Sequence, residues 1–172
     1  MIQAIETRYK GYRFRSRLEA RWAVFFGALG IDWEYEKEGY DLGNTGFYLP
    51  DFWLPQVKMW AEVKPEKLND TERRKCEVLA QETDHPCLML IGVPENKAYE
   101  AISYAVTDGG WPGEYEGVSD GWALTSYVLT AHRLREGRFY WCLSISDTDH
   151  FSDTENAVNA ARSARFEHGE QP

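Results

Sequence analysis

The chain has 172 residues, of which 43% are hydrophobic and 15% aromatic, so it can bury one sizeable core and we expect a single domain over residues 1–172. It contains no apolar run of the ~18 residues that a membrane span needs and no apolar segment typical of a signal peptide, so we expect a cytoplasmic protein without a membrane partner. Three widely separated cysteines provide neither a disulfide framework nor a CxxC zinc site, and a net charge of −9 argues against binding nucleic acid by overall attraction.

The charge is unevenly distributed along the chain. Residues 1–68 carry 10 basic and 10 acidic side chains, whereas residues 69–172 carry 9 and 18, so all of the excess acid is in the second part. Residues 1–22 carry six basic side chains against two acidic ones, interleaved with aromatic residues. This pattern is typical either of a surface that contacts phosphates or of the solvated face of a first helix and its lead-in. The candidate phosphate contacts are Lys10, Arg13, Arg15, Arg17 and Arg21.

Hydrophobic periodicity predicts a helix first and then an antiparallel meander. Apolar residues at helical spacing give a helix from Arg17 to Leu29, which ends at Gly30. The following residues predict three strands, with a turn region from Gly39 to Gly46 after the first strand. The three strands are Trp33 to Glu38, Phe47 to Leu54 and Lys58 to Lys64.

A second helix and a buried strand follow the meander. Capping residues from Asn69 to Glu72 open a helix that runs to about Thr83, with an inward face of Cys76, Leu79 and Ala80. The apolar run Pro86 to Val93 predicts a strand that pairs in parallel with an earlier one, because it is reached through a helix. The expected fold class is therefore α/β (α+β): a helix, three strands, a helix and a strand around a mixed central sheet.

Residues 94–172 give a weaker pattern, and we treat them as a C-terminal extension. Their composition predicts a loop, a hairpin and a terminal helix with a small-residue face. The predicted elements are the loop Gly109 to Gly121, the hairpin strands Ala123 to His132 and Arg138 to Ser146, and the helix Asp153 to Glu167. The predicted small face consists of Asn156, Ala157, Ala160, Ala161 and Ala164.

The stretch LPDFWLPQVKMWAEVKP, residues 49–65, places charged side chains inside strand-like runs. Alternation puts Glu62 and Lys64 on one face of a strand and Ala61 and Val63 on the other. Asp51 precedes Glu62 by eleven residues, a spacing that suits adjacent antiparallel strands. These residues could instead be a strand-end aspartate and an exposed ion pair worth only ~0.2–1 kcal/mol.

The order of Glu19 on the first helix, Pro50-Asp51 in one strand and Glu62-Val63-Lys64 in the next resembles the PD-(D/E)XK nuclease superfamily over residues 12–93. The runs YRFRSRLEARW, LPDFWLP and WAEVKP are most similar to small nuclease-like proteins carried by bacteriophages. For a phage-encoded protein, the expected location is the cytoplasm of the host cell. The resemblance implies a restriction-endonuclease-like core. It also implies that Asp51 and Glu62 are ligands of Mg²⁺, with Mn²⁺ as a substitute, that Lys64 positions or activates water, and that Glu19 completes the site.

Phosphodiester chemistry is consistent with these roles. Hard oxygen ligands suit Mg²⁺, and the Val63 backbone carbonyl, which lies between Glu62 and Lys64, is a candidate further ligand. Glu19 has an alternative role, because Ser16 to Glu19 also fits the Ser-x-x-Glu capping box. Glu34, Glu36 and Glu38 alternate on the predicted first strand and offer either an extra ligand or a solvated edge.

The leading hypothesis is a metal-dependent endonuclease whose partner is DNA, with a homodimer suited to cutting both strands. The alternative is a non-catalytic module that keeps the nuclease fold. Such a module would bind a protein partner in a phage or host defence or recombination complex through the acidic C-terminal region.

Overall fold

The computed structural model describes residues 5–55, 58–95, 99, 101–102, 130–133, 139–145, 148–152 and 154–166. Over these residues the chain is a mixed α/β protein with a mixed sheet and three α-helices, α1 (Arg17–Ala28), α2 (Asp70–Thr83) and α3 (Thr154–Ser163). None of the helices in this part of the chain is both long and apolar enough to cross a membrane. The predicted loop from Gly109 to Gly121 lies outside the described residues.

The strands are short, and five of the twelve described strands form the largest sheet. In chain order they are β1 (Thr7–Tyr9), β2 (Tyr12–Phe14), β3 (Glu34–Tyr35), β4 (Tyr40–Asp41), β5 (Phe47–Tyr48), β6 (Phe52–Leu54), β7 (Met59–Lys64), β8 (Cys87–Ile91), β9 (Ala101–Ile102), β10 (Thr130–Arg133), β11 (Phe139–Ile145) and β12 (Thr148–Ser152). The large sheet has the order β3-β6-β7-β8-β9. Its pairs are antiparallel except for β7 with β8, which are parallel because α2 carries the chain back across the sheet. The predicted meander and parallel return are confirmed.

Helix α1 begins and ends with local signals that are legible in the sequence. The Ser16 side chain accepts the N–H of Glu19 at 3.2 Å, which satisfies a donor that the helix start leaves open. Gly30 has a φ of 71°, a left-handed conformation that costs glycine little. The Ile31 N–H then reaches back to the Phe26 carbonyl at 2.9 Å, as in a Schellman cap. The helix is therefore capped at both ends by local contacts.

The two faces of the large sheet bury different side chains. The face toward α1 carries a mainly aromatic and aliphatic core, in which the Phe26 and Phe52 rings meet edge to face with centroids 5.6 Å apart. The face toward α2 carries a second cluster that consists of Leu42, Tyr48, Trp53, Trp60, Cys76, Leu79 and Cys87. Burial of Cys76, Leu79 and Ala80 on α2 confirms the predicted inward face of that helix.

Helix α3 packs on α1 through small residues. Ala157, Ala161 and Ala164 are buried in the same core as α1, which confirms that part of the predicted small face, whereas Asn156 is exposed. Ahead of α3, strand β11 pairs antiparallel with both β10 and β12, so the predicted hairpin is present with a third strand added. The first seven residues of its predicted first strand, 123–129, lie outside the described residues.

The basic N-terminal segment is a β-hairpin, which the sequence analysis did not predict. Strands β1 and β2 pair antiparallel around Lys10 and Gly11, whose φ values of 46° and 83° are those of a type I′ turn. Tyr9 and Phe14 are buried against α1. The lead-in to the first helix is therefore an ordered part of the core, and its basic side chains are presented by strands.

The predicted strand from Trp33 to Glu38 is wrong after Tyr35, where β3 ends. Only Glu34 and Tyr35 pair with β6, because Glu36 has a left-handed φ of 46° and its N–H turns to the Asp51 carbonyl at 2.9 Å. The expected alternation of Glu34, Glu36 and Glu38 on one strand therefore does not occur.

The predicted strand from Phe47 to Leu54 is divided at Pro50. Strand β5 pairs with β4 in a separate two-stranded ribbon, and β6 joins the large sheet. Proline has no N–H for a ladder, so strand pairing stops at Pro50. After Asp51 the chain pairs with a different strand, β7. The predicted turn region before β5 contains strand β4 and a 3-10 turn, Gly43–Thr45.

Candidate functional site

Asp51, which immediately precedes β6, lies opposite Glu62 on the neighbouring strand β7. The ladder pairs Phe52 of β6 with Ala61 of β7, so continuing this antiparallel register by one residue sets Asp51 against Glu62. Both residues are nearly buried, with 3% and 4% of their whole-residue surface exposed. The eleven-residue spacing indicated adjacent antiparallel strands, and this is the arrangement that the chain adopts.

The Asp51 carboxylate replaces strand pairing where the ladder stops. Its Oδ2 accepts the Val63 backbone N–H at 2.8 Å, and its Oδ1 accepts Nη2 of Arg15 at 2.8 Å. In an extended strand the N–H and C=O of one residue point to the same edge, so the Val63 carbonyl is directed toward the same side as Asp51. Because strand pairing stops at Pro50, the Val63 N–H is bonded by the Asp51 carboxylate in place of a backbone carbonyl.

Glu62 is held by one neighbour on its own strand and one on β5. Its Oε1 lies 2.8 Å from Nζ of Lys64, and its Oε2 accepts the Tyr48 hydroxyl at 2.7 Å. Lys64 Nζ also lies 3.8 Å from a carboxylate oxygen of Glu72 on α2. Glu62 and Lys64 share the face of β7 toward α2, whereas Ala61 and Val63 pack into the α1 core, so the alternation predicted for this strand is confirmed.

Glu19 performs part of a capping role and also faces the carboxylates. Its Oε1 accepts the Ser16 hydroxyl at 2.7 Å, while its Oε2 accepts the Tyr35 hydroxyl at 2.6 Å and the Arg15 N–H at 3.1 Å. The bond to Arg15, one residue before the cap, differs from the usual capping box, in which the glutamate binds the N–H of the cap residue itself. The two roles considered for Glu19 are therefore compatible.

These side chains line one cleft of about 460 Å³. It opens between the end of β7, the β5 ribbon and the start of α2, with Phe47 exposed at its rim. The residues that line it are Arg15, Glu19, Phe47, Tyr48, Leu49, Asp51, Glu62, Val63, Lys64, Glu72 and Lys75. The four side chains proposed for catalysis and the Val63 backbone are all among them.

Burial and like charge dominate the electrostatics of the cleft. Burial raises the pKa of Asp51 well above its usual value, and the carboxylates of Glu62 and Glu19 raise it further, against the opposing effect of the Val63 N–H and Lys64. Burial disfavours the charged form of Lys64, but the carboxylates of Glu62, Asp51 and Glu72 together outweigh it, so the pKa of Lys64 is raised. The acidic cluster therefore contains a repulsion that an added cation would relieve, beside a lysine that stays protonated at neutral pH.

The predicted phosphate contacts are dispersed. Of the five basic residues predicted to contact phosphate, Arg15 alone is among the described residues that line the cleft. Lys10 occupies the hairpin turn over the Tyr9 ring, and Arg13 is exposed and paired with Glu6. Arg17 and Arg21 lie in the first turns of α1, one helical turn apart.

Four polar neighbours of the carboxylates were not predicted from the sequence. Tyr48 and Tyr35 donate to Glu62 and Glu19 respectively, and Glu72 and Lys75 face the cleft from one side of α2. The spacing of three residues between Glu72 and Lys75 was a usable signal, since it places both on one helix face. The tyrosines gave no such signal, because aromatic residues in strands are usually core.

Hard oxygen donors are present for a divalent cation. Within the described residues no group of three or more His, Cys, Asp or Glu side chains is arranged to hold a metal. Mg²⁺ does not require such a group, since it retains several waters and is commonly bound by one or two carboxylates. Asp51, Glu62 and the Val63 carbonyl fit that smaller donor set.

Comparison of the chain with protein-family models, with curated proteins and with solved structures finds no match.

Proposed function

We propose that this protein is a divalent-metal-dependent nuclease of the PD-(D/E)XK type that hydrolyses phosphodiester bonds of DNA as an endonuclease. The observation that carries the proposal is the opposition of Asp51 and Glu62 across β6 and β7, with Lys64 2.8 Å from Glu62 in the same cleft. Two nearly buried carboxylates and a lysine at the end of a covered strand need a reason, because burying charge is costly. A restriction-endonuclease-like core is supported by the order of α1, the meander, α2 and the parallel strand β8.

The chain's own residues would divide the work by position. Asp51, Glu62 and the Val63 carbonyl would hold Mg²⁺ or Mn²⁺, which when bound supplies positive charge to the attacking and leaving oxygens. Lys64, fixed by Glu62, would orient a water or bind a phosphate oxygen as negative charge grows on it. Tyr48 holds the other oxygen of Glu62 and thereby fixes the direction in which that carboxylate faces.

A second function is favoured by a different observation. Asp51 is already bonded to Arg15, and Glu62 is bonded to Lys64 and Tyr48, so the carboxylates have partners without any metal. Such self-sufficiency is what a non-catalytic module would need. In that case the protein would bind a protein partner, with the acidic residues of 69–172 as the candidate surface.

The deciding experiment is cleavage of labelled linear, nicked, branched and single-stranded DNA with Mg²⁺, Mn²⁺ or EDTA. Asp51→Asn and Glu62→Gln each remove ligand charge and little volume, so each should abolish metal-dependent cleavage while the far-UV circular dichroism stays unchanged. Glu82→Gln, an exposed acidic position on α2, is the matched control and should cleave like the parent.

Unchanged cleavage by either site variant would reject the site. Absence of cleavage and of DNA binding by the parent with every metal would favour the interaction module.

A further inference from the structure

Arg15 is attached to the acidic cluster by its side chain and its main chain at once. Its Nη2 lies 2.8 Å from Asp51 Oδ1, and its Nε lies 2.6 Å from Glu36 Oε1. Its backbone N–H is 3.1 Å from Glu19 Oε2 and 3.0 Å from the Tyr35 hydroxyl. One residue therefore contacts the carboxylates of Asp51, Glu36 and Glu19.

The two attachments differ in how easily they can be released. The backbone bonds hold Arg15 immediately before the Ser16 cap, where α1 begins. The side chain of Arg15 is 56% exposed, whereas that of Asp51 is 4% exposed. The guanidinium can therefore leave Asp51 and enter solvent without unpacking the core, while the backbone anchor stays in place.

The Asp51 oxygen bound by Arg15 is also the oxygen available to another cation. Oδ2 accepts the N–H of Val63, which is fixed because it belongs to β7, the central strand of the large sheet. Oδ1 accepts Nη2 of the guanidinium, and the positive charge of Arg15 and the negative charge of Asp51 attract each other. A divalent cation and a guanidinium at the same carboxylate oxygen would exclude each other by charge and by volume.

We propose that Arg15 is an internal counter-cation that neutralises Asp51 in the metal-free protein and leaves it when a divalent cation binds. The released guanidinium then binds a phosphate oxygen of the substrate at the mouth of the cleft. This inference rests on the proposed function, because it assigns the metal to Asp51. It makes Arg15 a substrate-binding residue that couples metal binding to substrate binding, and by reciprocity each ligand strengthens the other.

Metal affinity tests the first half of the proposal without any cleavage. Mn²⁺ is titrated calorimetrically into the parent, into Arg15→Gln and into Arg13→Gln, an exposed control two residues away. Removing the competitor should tighten Mn²⁺ binding by roughly 5- to 100-fold in Arg15→Gln and leave it unchanged in Arg13→Gln. Metal-free Arg15→Gln should also melt a few degrees below the parent, since Asp51 loses its partner, and Mn²⁺ should raise its melting temperature more than that of the parent.

Salt dependence tests the second half. Binding of a hydrolysis-resistant phosphorothioate DNA is measured by anisotropy over a range of salt, with Mn²⁺ or with EDTA. Arg15→Gln should lower the salt slope by about one unit with Mn²⁺ and leave it unchanged with EDTA, because Arg15 reaches phosphate only after release. Any effect of Arg13→Gln should be the same in both conditions.

The outcomes separate this inference from the proposed function. If the parent binds Mn²⁺ and cleaves DNA but Arg15→Gln binds Mn²⁺ no more tightly, the counter-cation role is overturned and the nuclease proposal survives. If neither protein binds metal, the inference falls, and the metal-dependent function falls with it. Should Arg15→Gln fail to fold, Arg15→Lys replaces it: losing the forked contact should still tighten Mn²⁺ binding, by a smaller factor, and unchanged affinity would overturn the proposal.

Discussion

Strand β7 presents two different environments on its two faces. Met59, Ala61 and Val63 enter the aromatic core beneath α1, whereas Glu62 and Lys64 face the cleft beside α2. We call the first the closed face, because apolar side chains fill it. We call the second the charged face, because Glu62 and Lys64 form an ion pair there. The difference shows that one strand combines a rigid apolar face with a charged face, because the closed face fixes the backbone from which the charged side chains project.

The largest expected effect is on the closed face. Phe52 is fully buried among the rings of Phe14, Phe26, Trp33 and Tyr35. Phe52→Ala should lower the free energy of unfolding by about 3–5 kcal/mol, because it leaves a cavity that rigid neighbours cannot fill. Urea unfolding followed by circular dichroism measures it.

The control is Phe47→Ala, since Phe47 is 66% exposed and its loss should cost far less. Equal losses would show that the two environments do not differ in packing.

The next effect belongs to the charged face. Lys64→Met keeps the aliphatic stem and removes the charge, so single-turnover cleavage should slow by ~10²–10³-fold while DNA and metal still bind. Lys67→Met, at an exposed position beyond the strand, should cleave normally. Loss of binding with unchanged chemistry would reverse the role assigned to Lys64.

Glu19 lies between the two regions, because it caps α1 and also faces the cleft. Gln keeps one acceptor and a similar volume, so Glu19→Gln should change the unfolding free energy by no more than about 1 kcal/mol. If its charge serves the metal, Mn²⁺ affinity should fall by about 10- to 100-fold, the scale for losing a partner near a metal.

Ser16→Ala is the matched cap variant. It should cost about 0.5–2 kcal/mol of stability and leave metal affinity intact. Full activity and metal binding by Glu19→Gln would reduce its role to capping.

The smallest effect is expected at the hairpin of β1 and β2, which packs on the closed side. If Lys10 and Arg13 contact phosphates, their joint replacement by Gln should lower the salt slope of DNA binding by about two units and leave cleavage at saturating DNA unchanged. An unchanged slope would confine substrate contacts to the charged face. The exposed Arg13–Glu6 pair itself should contribute little to stability.

The elements with strong local signals were predictable from the sequence. The periodic helices α1 and α2, the buried strand β8 and the alternation of β7 followed from spacing and capping residues. Where tertiary contacts decide, prediction failed. Glu36 turns left-handed to bond Asp51, and the β1–β2 turn uses Lys10-Gly11, a pair weaker as a turn signal than Asn-Gly.

The candidate site follows the same division. The opposition of Asp51 and Glu62 could be predicted because register and spacing are properties of the chain. The partners of these carboxylates could not, since Tyr48, Tyr35 and Arg15 reach them from β5, β3 and the segment before α1. Arg15 was assigned to phosphate contacts from local charge alone, and its ion pair with Asp51 is visible only in three dimensions.

The alanine contact between α3 and α1 has a consequence for folding kinetics. About 125 residues separate the end of α1 from the start of α3, yet Ala157, Ala161 and Ala164 belong to the core that α1 organises. Closing so long a segment adds little free-energy cost because loop entropy grows only logarithmically, but contacts of such high sequence separation form late. The charged face, which is built from side chains within residues 15–75, should therefore form before α3 packs on the α1 core. Refolding should show cleft formation preceding protection of the α3 backbone amides from hydrogen exchange.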